Sequence, residues 1–154
     1  SRRNLRGAEV VFGTSNGTRA AALCSKADHV LVASFNNVSA VARVAGALAG
    51  RCVKIVCAGQ GGLIALDDAV CAGLIARQLI RDGGAAADSA VIAMAVADQF
   101  DDIPALVRRS ESGRRLLDVG YGRDLDWCAR VDITEKVPVL ATDGVTPDRR
   151  LVLV

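Results

Sequence analysis

The sequence predicts an α/β fold in which a parallel or mixed sheet is flanked by helices. Three apolar, β-branched runs are each followed by a polar or glycine-rich turn and then by a helical pattern, at intervals of about 20 residues. Hydrophobic residues make up 51% of the 154 residues, so a substantial core is possible. Such alternation is typical of parallel strands joined by right-handed helical crossovers. We expect a helical C-terminal half to follow, within a single domain over residues 1–154.

The first unit follows a polar segment, residues 1–8, and is expected to form a strand at 9–13, a turn at 14–17 and an alanine-rich helix at 18–26. Four side chains at this turn could hold phosphate oxygens by hydrogen bonds and charge: Thr14, Asn16, Thr18 and Arg19. The alternative is an ordinary Asn-Gly turn with a surface arginine.

The second unit is a predicted strand at 29–34 and a helix at 39–48, separated by a polar break that contains Asn37. The carboxyl ends of parallel strands meet at one edge of a sheet. We therefore expect the turns 14–18, 34–37 and 58–68 to converge there, with Asn37 lining the edge. Backbone N–H groups at the helix starts would make this edge a natural anion site.

The third unit organises the chain. An apolar strand is predicted at 52–57, a glycine-rich loop follows, and a helix opens at Asp67 and stops at Gly83-Gly84. The loop, GQGG at 59–62, lacks the Walker A pattern and the spacing of a dinucleotide fingerprint.

Two adjacent carboxylates, Asp67 and Asp68, stand where the loop meets the helix. Mg²⁺ is commonly bound through one or two carboxylates while it keeps waters and contacts a substrate phosphate. The pair is thus a candidate metal and catalytic site. The alternative is an N-cap with a favourable charge at the helix dipole.

Five cysteines occur without a CxxC spacing, and there is one histidine, so a zinc site is not indicated. Buried reduced thiols are the ordinary interpretation. Cys57, at a strand end beside the glycine loop, is placed as a reactive thiol would be and is a candidate nucleophile.

Composition excludes several classes of protein. A net charge of +2 and 3% aromatic residues argue against a nucleic-acid binder. No apolar run is long enough for a membrane span, and no signal peptide is visible, so we expect a soluble cytoplasmic protein. Small apolar helices could equally cover a homo-oligomer interface.

The second half has no strand–helix alternation. Helices are predicted at 88–99, 104–109, 114–119 and 124–129, with a break at Ser112-Gly113. Two late strands are expected at 137–140 and 151–154, separated by a turn at 142–144.

An ordered series of short blocks resembles the 2-phosphosulfolactate phosphatase family. The blocks are TSNGTRA (14–20), SFNNVSAV (34–41), VCAG…LDD…AG (56–73), DSA (88–90), GRRLL (113–117), DLDWCA (124–129) and VPVL (137–140). They run through most of the chain, which matches the later two-thirds of a family member. The resemblance implies an α/β, Mg²⁺-dependent phosphatase that converts 2-phospho-3-sulfolactate, or a similar small anionic phosphate ester, to the hydroxy acid on the coenzyme M route.

The resemblance also implies roles for the candidate residues. Asp68, with Asp67, would hold Mg²⁺, which polarises the phosphoryl oxygens. Asn16, Thr18 and Arg19 would position the phosphate, and Asn37 would line the same edge. Arg114 and Arg115 would neutralise the sulfonate or carboxylate. Water and Cys57 both remain open as the nucleophile.

Three positions depart from the family pattern. Gly61 stands where a glutamate is usual, Leu63 where a charged or polar residue is usual, and Ser112 where a histidine is frequent. Gly61 and Leu63, with the N-terminal family region that is expected to be missing here, favour an alternative, a catalytically silent relative that binds an anionic metabolite or serves as an interaction module. The retained NGTR, DD and GRR blocks favour the phosphatase.

Overall fold

Helices dominate the part of the chain that the structure describes. In this computed structural model, residues 13–140 and the backbone of 151–153 are described. The helices are α1 Gly17–Leu23, α2 Val38–Leu48, α3 Leu66–Arg81, α4 Asp88–Ala97, α5 Ile103–Arg109, α6 Glu111–Asp118 and α7 Gly122–Cys128. A 3₁₀ turn at Phe35–Asn37 precedes α2, and the strands are β1 Pro138–Leu140 and β2 Leu151–Leu153.

α3 is the central helix, and its apolar stripe is buried against α2 and α4. It ends where the sequence predicts: Gly83 takes a left-handed φ of 101°, and the Gly84 N–H donates to the Leu79 carbonyl at 3.0 Å. Its start is corrected by two positions, because the N-cap is Ala65 and not Asp67. The helix begins at Leu66, so Asp67 and Asp68 lie in the first turn and neither is the N-cap.

The contact between α3 and α4 depends on small residues. A Cβ atom at Gly73 would overlap the Ala93 carbonyl oxygen and lie 2.8 Å from the Cβ of Ala97. The helices can therefore approach closely only because position 73 has no side chain. The main core lies beside this contact and is formed by Phe35, Val70, Ala97, Ile103, Leu106, Val107, Leu125 and Ala129.

The predicted parallel sheet is not confirmed. Residues 9–12 of the first predicted strand lie outside the described residues. Segment 29–34 forms an isolated antiparallel bridge between Leu31 and Val139, supported by a bond from Val32 N–H to the Pro138 carbonyl at 2.9 Å. Segment 52–57 has no regular secondary structure, and no backbone hydrogen bond reaches it from residues 13–140. A segment forms a strand only when a neighbouring segment pairs with it. The periodicity of apolar residues does not predict which segments pair.

The late strands are confirmed as an antiparallel pair, with Val139 opposite Val152. The turn predicted at 142–144 lies outside the described residues. Four helices of the second half are also confirmed, except that α6 begins earlier than expected. Ser112 and Gly113 are in its first turn rather than in a break, because the Ser110 hydroxyl accepts from the Gly113 N–H at 3.0 Å and caps the helix.

Candidate functional site

The glycine-rich loop is a tight turn that only glycine fits easily. Gln60 and Leu63 exchange two backbone hydrogen bonds of 3.0 Å, and the two residues between them, Gly61 and Gly62, have φ of 59° and 86°. Positive φ at both central positions is the requirement of a type I′ turn. The glycines are therefore explained by turn geometry, and the turn presents the loop backbone to the start of α3.

Asp68 joins this loop to α3. The Gly59 N–H donates to Oδ2 of Asp68 at 2.7 Å. Gly59 itself has a φ of 70°, and a Cβ there would lie 2.5 Å from the Leu63 carbonyl oxygen. The carboxylate thus holds the loop in a conformation that depends on glycine at position 59.

Asp67 has different surroundings from its neighbour. Its Oδ1 is buried and has no hydrogen-bond partner in the described part of the chain. Burial raises the pKa of Asp67 and the nearby charge of Asp68 adds to this, while backbone N–H groups and the Ser112 hydroxyl act in the opposite direction. A buried carboxylate oxygen without a donor costs free energy unless a cation or water reaches it.

α6 brings a residue to the site that the sequence analysis did not select as a ligand. The Ser112 hydroxyl lies 3.5 Å from Oε1 of Gln60 and close enough to Asp67 to affect its pKa. Neither Gln60 nor Ser112 was among the candidate site residues. No spacing signal could have found them, because they are 52 positions apart and meet only through the packing of α6.

The surroundings of Cys57 do not activate it as a nucleophile. The residue is exposed, yet partial burial of the thiol and the Asp68 carboxylate raise its pKa above 9.0. Cys71, one turn along α3 from Asp68, has its pKa raised to about 12 by burial and by the same negative charges. The reactive form of a cysteine is the thiolate, which these carboxylates disfavour.

Arg114 and Arg115 lie on α6 with Ser112. Arg115 forms an ion pair with Glu111 one turn earlier, at 2.6 Å, and Arg114 donates to the Arg109 carbonyl. Arg115 is three positions from Ser112, so both share a face of α6. Arg115, on the face of α6 that carries Ser112, is therefore already paired with the exposed Glu111.

The first turn makes no hydrogen bond or ion pair with the glycine loop among the described residues. Thr18 is occupied locally: its N–H donates to Oγ1 of Thr14 at 3.1 Å, and its hydroxyl donates to the Thr14 carbonyl at 2.9 Å. Asn16 precedes α1 without a side-chain cap bond, and Arg19 is exposed on that helix. No hydrogen bond or ion pair within 13–140 links Asn16, Thr18 or Arg19 to Asp68.

Asn37 is buried, and its side chain is hydrogen-bonded to backbone groups. It is only 5% exposed. Its Oδ1 accepts from the Ser34 N–H at 2.9 Å, and its Nδ2 donates to the carbonyls of Val32 and Lys136 at 3.2 and 3.1 Å. Within 13–140 no hydrogen bond joins Asn16 or Asn37 to Asp68, and their convergence stays a prediction. The contacts that the structure does show bring together Gly59, Gln60, Asp67, Asp68 and Ser112.

Comparison with known proteins decides the family. The family model described as 2-phosphosulpholactate phosphatase matches residues 1–143. The chain belongs to the 2-phosphosulfolactate phosphatase family. A protein of Methanothermobacter thermautotrophicus named 2-phosphosulfolactate phosphatase is 37% identical over 137 residues, which cover 89% of this chain and 58% of that protein.

Two further relatives carry the name with the word "probable". The protein of Thermus thermophilus is 40% identical over 136 residues, covering 87% of this chain and 57% of its own length. The protein of Gloeobacter violaceus is 38% identical over 140 residues, which cover 90% of this chain and 58% of that protein. The chain thus spans slightly less than three fifths of these relatives. The resemblance seen in the sequence blocks is confirmed at the level of the 2-phosphosulfolactate phosphatase family.

The carboxylate pair of this family member fits a magnesium ion but not a metal that needs many protein ligands. No group of three or more His, Cys, Asp or Glu side chains within the described residues is arranged to bind a metal. Mg²⁺ takes one or two carboxylates and fills its other positions with water and phosphate oxygens. The unpartnered Oδ1 of Asp67 beside Asp68 is the kind of oxygen such an ion would bind.

Among the described helices, none is both long and apolar enough to cross a membrane.

Proposed function

We propose that the chain belongs to a Mg²⁺-dependent phosphatase that hydrolyses 2-phosphosulfolactate, or a similar small anionic phosphate ester, to the hydroxy acid and phosphate. Family membership supports the reaction class, and the M. thermautotrophicus relative carries the name of this activity. The observation that carries the site is the buried Oδ1 of Asp67, which lacks a hydrogen-bond donor beside the Asp68 carboxylate.

In this proposal Asp67 and Asp68 hold Mg²⁺, which when bound neutralises charge on the phosphoryl oxygens and thereby favours attack at phosphorus. The Gly59 N–H is bonded to Oδ2 of Asp68, so Oδ1 would be the oxygen left to bind the ion. Ser112 interacts with Asp67 and lies 3.5 Å from Oε1 of Gln60, so it would link Asp67 to the glycine turn. These residues would bind the ion and position the phosphate. Positioning and charge neutralisation account for most of the catalysis of phosphoryl transfer.

Arg114 and Arg115 are proposed to receive the sulfonate or carboxylate of the ester. They are on the helix that carries Ser112, and guanidinium groups suit planar anions. Arg115 would exchange its exposed glutamate partner, Glu111, for the substrate, which costs little because exposed ion pairs contribute little to stability. Asn16, Thr18 and Arg19 stay predicted phosphate ligands, and the raised pKa of Cys57 favours water as the nucleophile.

The experiment measures both metal binding and turnover. Thermal unfolding of the chain is followed with and without Mg²⁺, for the wild type, Asp68→Asn and the control Asp88→Asn. Asp88 is matched to Asp68 because it is also in a first helical turn but lies exposed on α4. Asparagine can still accept from Gly59, so Asp68→Asn should fold. We expect Mg²⁺ to raise Tm for the wild type and Asp88→Asn but not for Asp68→Asn.

Turnover is tested by phosphate release from 2-phosphosulfolactate, using the natural full-length protein with the same substitutions. Loss of release in Asp68→Asn, with release retained in Asp88→Asn, is expected. The alternative function is a silent relative that binds an anionic metabolite; it is favoured by the turn tip, where Gly61 has no side chain and Leu63 is 71% exposed. Anion binding without phosphate release would establish that alternative.

A further inference from the structure

Segment 52–57, which the sequence predicts to be a strand, has no strand neighbour among the described residues. In the part of the chain described, none of its backbone N–H or C=O groups takes part in a hydrogen bond. In a strand, Val53 and Ile55 would lie on one face and Lys54 and Val56 on the other. These three apolar side chains are 38%, 37% and 57% exposed.

Apolar side chains on both faces are typical of a strand covered on both sides in a parallel sheet, whereas an edge strand usually has one polar face. An extended segment with free backbone groups is also a template for strand addition. Exposure of several apolar residues next to such a template marks an interaction surface rather than scattered surface residues. The segment therefore fits a partner that supplies a strand together with apolar cover.

We propose that segment 52–57 is the docking surface for a β-strand from the polypeptide region that the relatives possess outside the match to this chain. The matched part covers only 57–58% of the T. thermophilus and G. violaceus proteins, so each has a large region to supply such a strand. The same segment leads directly into Gly59, whose N–H holds Asp68. A strand added here would also fix the glycine turn of the carboxylate site.

The test compares amide hydrogen exchange in two proteins. One is the 154-residue chain, and the other is a chimaera in which this chain replaces the matched 136 residues of the T. thermophilus protein. Amides of residues 53–56 should exchange without protection in the chain alone. In the chimaera they should exchange slower by on the order of 100-fold, because strand pairing protects them until the region opens.

Val53→Pro adds a matched comparison, because proline cannot donate to a ladder. The substitution should leave Tm unchanged in the chain alone, where no hydrogen bond to the Val53 N–H is lost. In the chimaera it should lower Tm and abolish the protection of residues 53–56.

Four outcomes would overturn the proposal. The amides could be unprotected in the folded chimaera, or already protected in the chain alone at all concentrations. Protection in the chain alone that rises with protein concentration would identify a second copy as the partner instead. The proposal would also be overturned if neither this chimaera nor the equivalent G. violaceus chimaera folded. None of these results depends on phosphatase activity, so the proposed function is tested separately.

Discussion

At the scale of single residues, neighbouring acids and thiols differ because of their surroundings. Asp68 has a backbone donor at 2.7 Å, whereas the Oδ1 of its neighbour Asp67 is buried without one. Cys71 lies near Asp67 and Asp68, and the negative charges of these carboxylates add to the effect of its own burial. The sequence marks Asp67, Asp68 and Cys57 as candidates, but only the structure shows how their burial and partners differ.

Cys71 should be unreactive in the native protein. Its pKa of about 12, against an ordinary 9.0, lowers the thiolate fraction near neutral pH by about 1,000-fold, and reactivity should return only as the pH approaches 12. Mass spectrometry after iodoacetamide treatment at about pH 8 should find exposed Cys52 alkylated and Cys71 unmodified. In urea both should react. Equal labelling of the two cysteines in the native chain would contradict the assigned environment.

Asn37 should contribute to stability rather than to ligand binding. Asn37→Ala removes an acceptor and two donor contacts at a residue that is 5% exposed, so the backbone groups of Ser34, Val32 and Lys136 lose these partners. We expect a loss of about 1–3 kcal/mol in the free energy of unfolding, measured by urea denaturation. Gln99→Ala, at an exposed position after α4, is the control and should change little. A stable Asn37→Ala protein with weakened phosphate binding would restore Asn37 as a ligand.

At the scale of elements, helix packing in this chain depends on where glycine is placed. Gly73 and Gly46 both lie inside helices, where a change to alanine by itself favours the helix by about 1 kcal/mol. Their surroundings are opposite. A Cβ at Gly46 would meet Leu79 Cδ2 at an ordinary 3.6 Å, whereas one at Gly73 would overlap the Ala93 carbonyl.

The two substitutions should therefore have opposite signs. Gly46→Ala should stabilise the chain by about 0.5–1 kcal/mol. Gly73→Ala should destabilise it by about 1–3 kcal/mol, because α3 and α4 must separate to admit the methyl group. Both are measured as the midpoint of urea unfolding. Stabilisation of the chain by Gly73→Ala would show that the two helices are not packed as closely as described.

At the scale of the whole molecule, the segment around Asp132, to which the sequence analysis assigned no function, joins distant parts of the chain. Asp132 is 93 positions from Ser39, yet its carboxylate accepts from the Ser39 N–H at 2.8 Å and from the Ser39 hydroxyl at 2.6 Å. The Asp132 N–H donates to the Phe35 carbonyl at 3.0 Å, and Asn36 donates to the carbonyls of Trp127 and Arg130. These bonds attach the segment before β1 to the start of α2.

Asp132→Ala tests this attachment. It removes a side-chain acceptor at the start of α2, at a cost of about 1 kcal/mol. It also places alanine at a φ of 53°, which costs about 1–2 kcal/mol more. Asp132→Asn keeps an acceptor and tolerates this backbone conformation, so it should lose less than half as much in thermal unfolding. Exposed Asp101→Ala is the control. Equal losses in Asp132→Ala and Asp132→Asn would mean that charge alone matters.

The sequence by itself determined the helices and the family. These depend on signals that lie close together along the chain: apolar spacing of three and four, glycine stops, and short blocks of identity. It could not determine the sheet, since a strand exists only with a partner and segment 52–57 has none among the described residues. Only the tertiary structure decided that Ser112 and Gln60 meet Asp67 and that Asn37 is buried. Contacts between residues tens of positions apart come from the packing of whole helices, which no local pattern specifies.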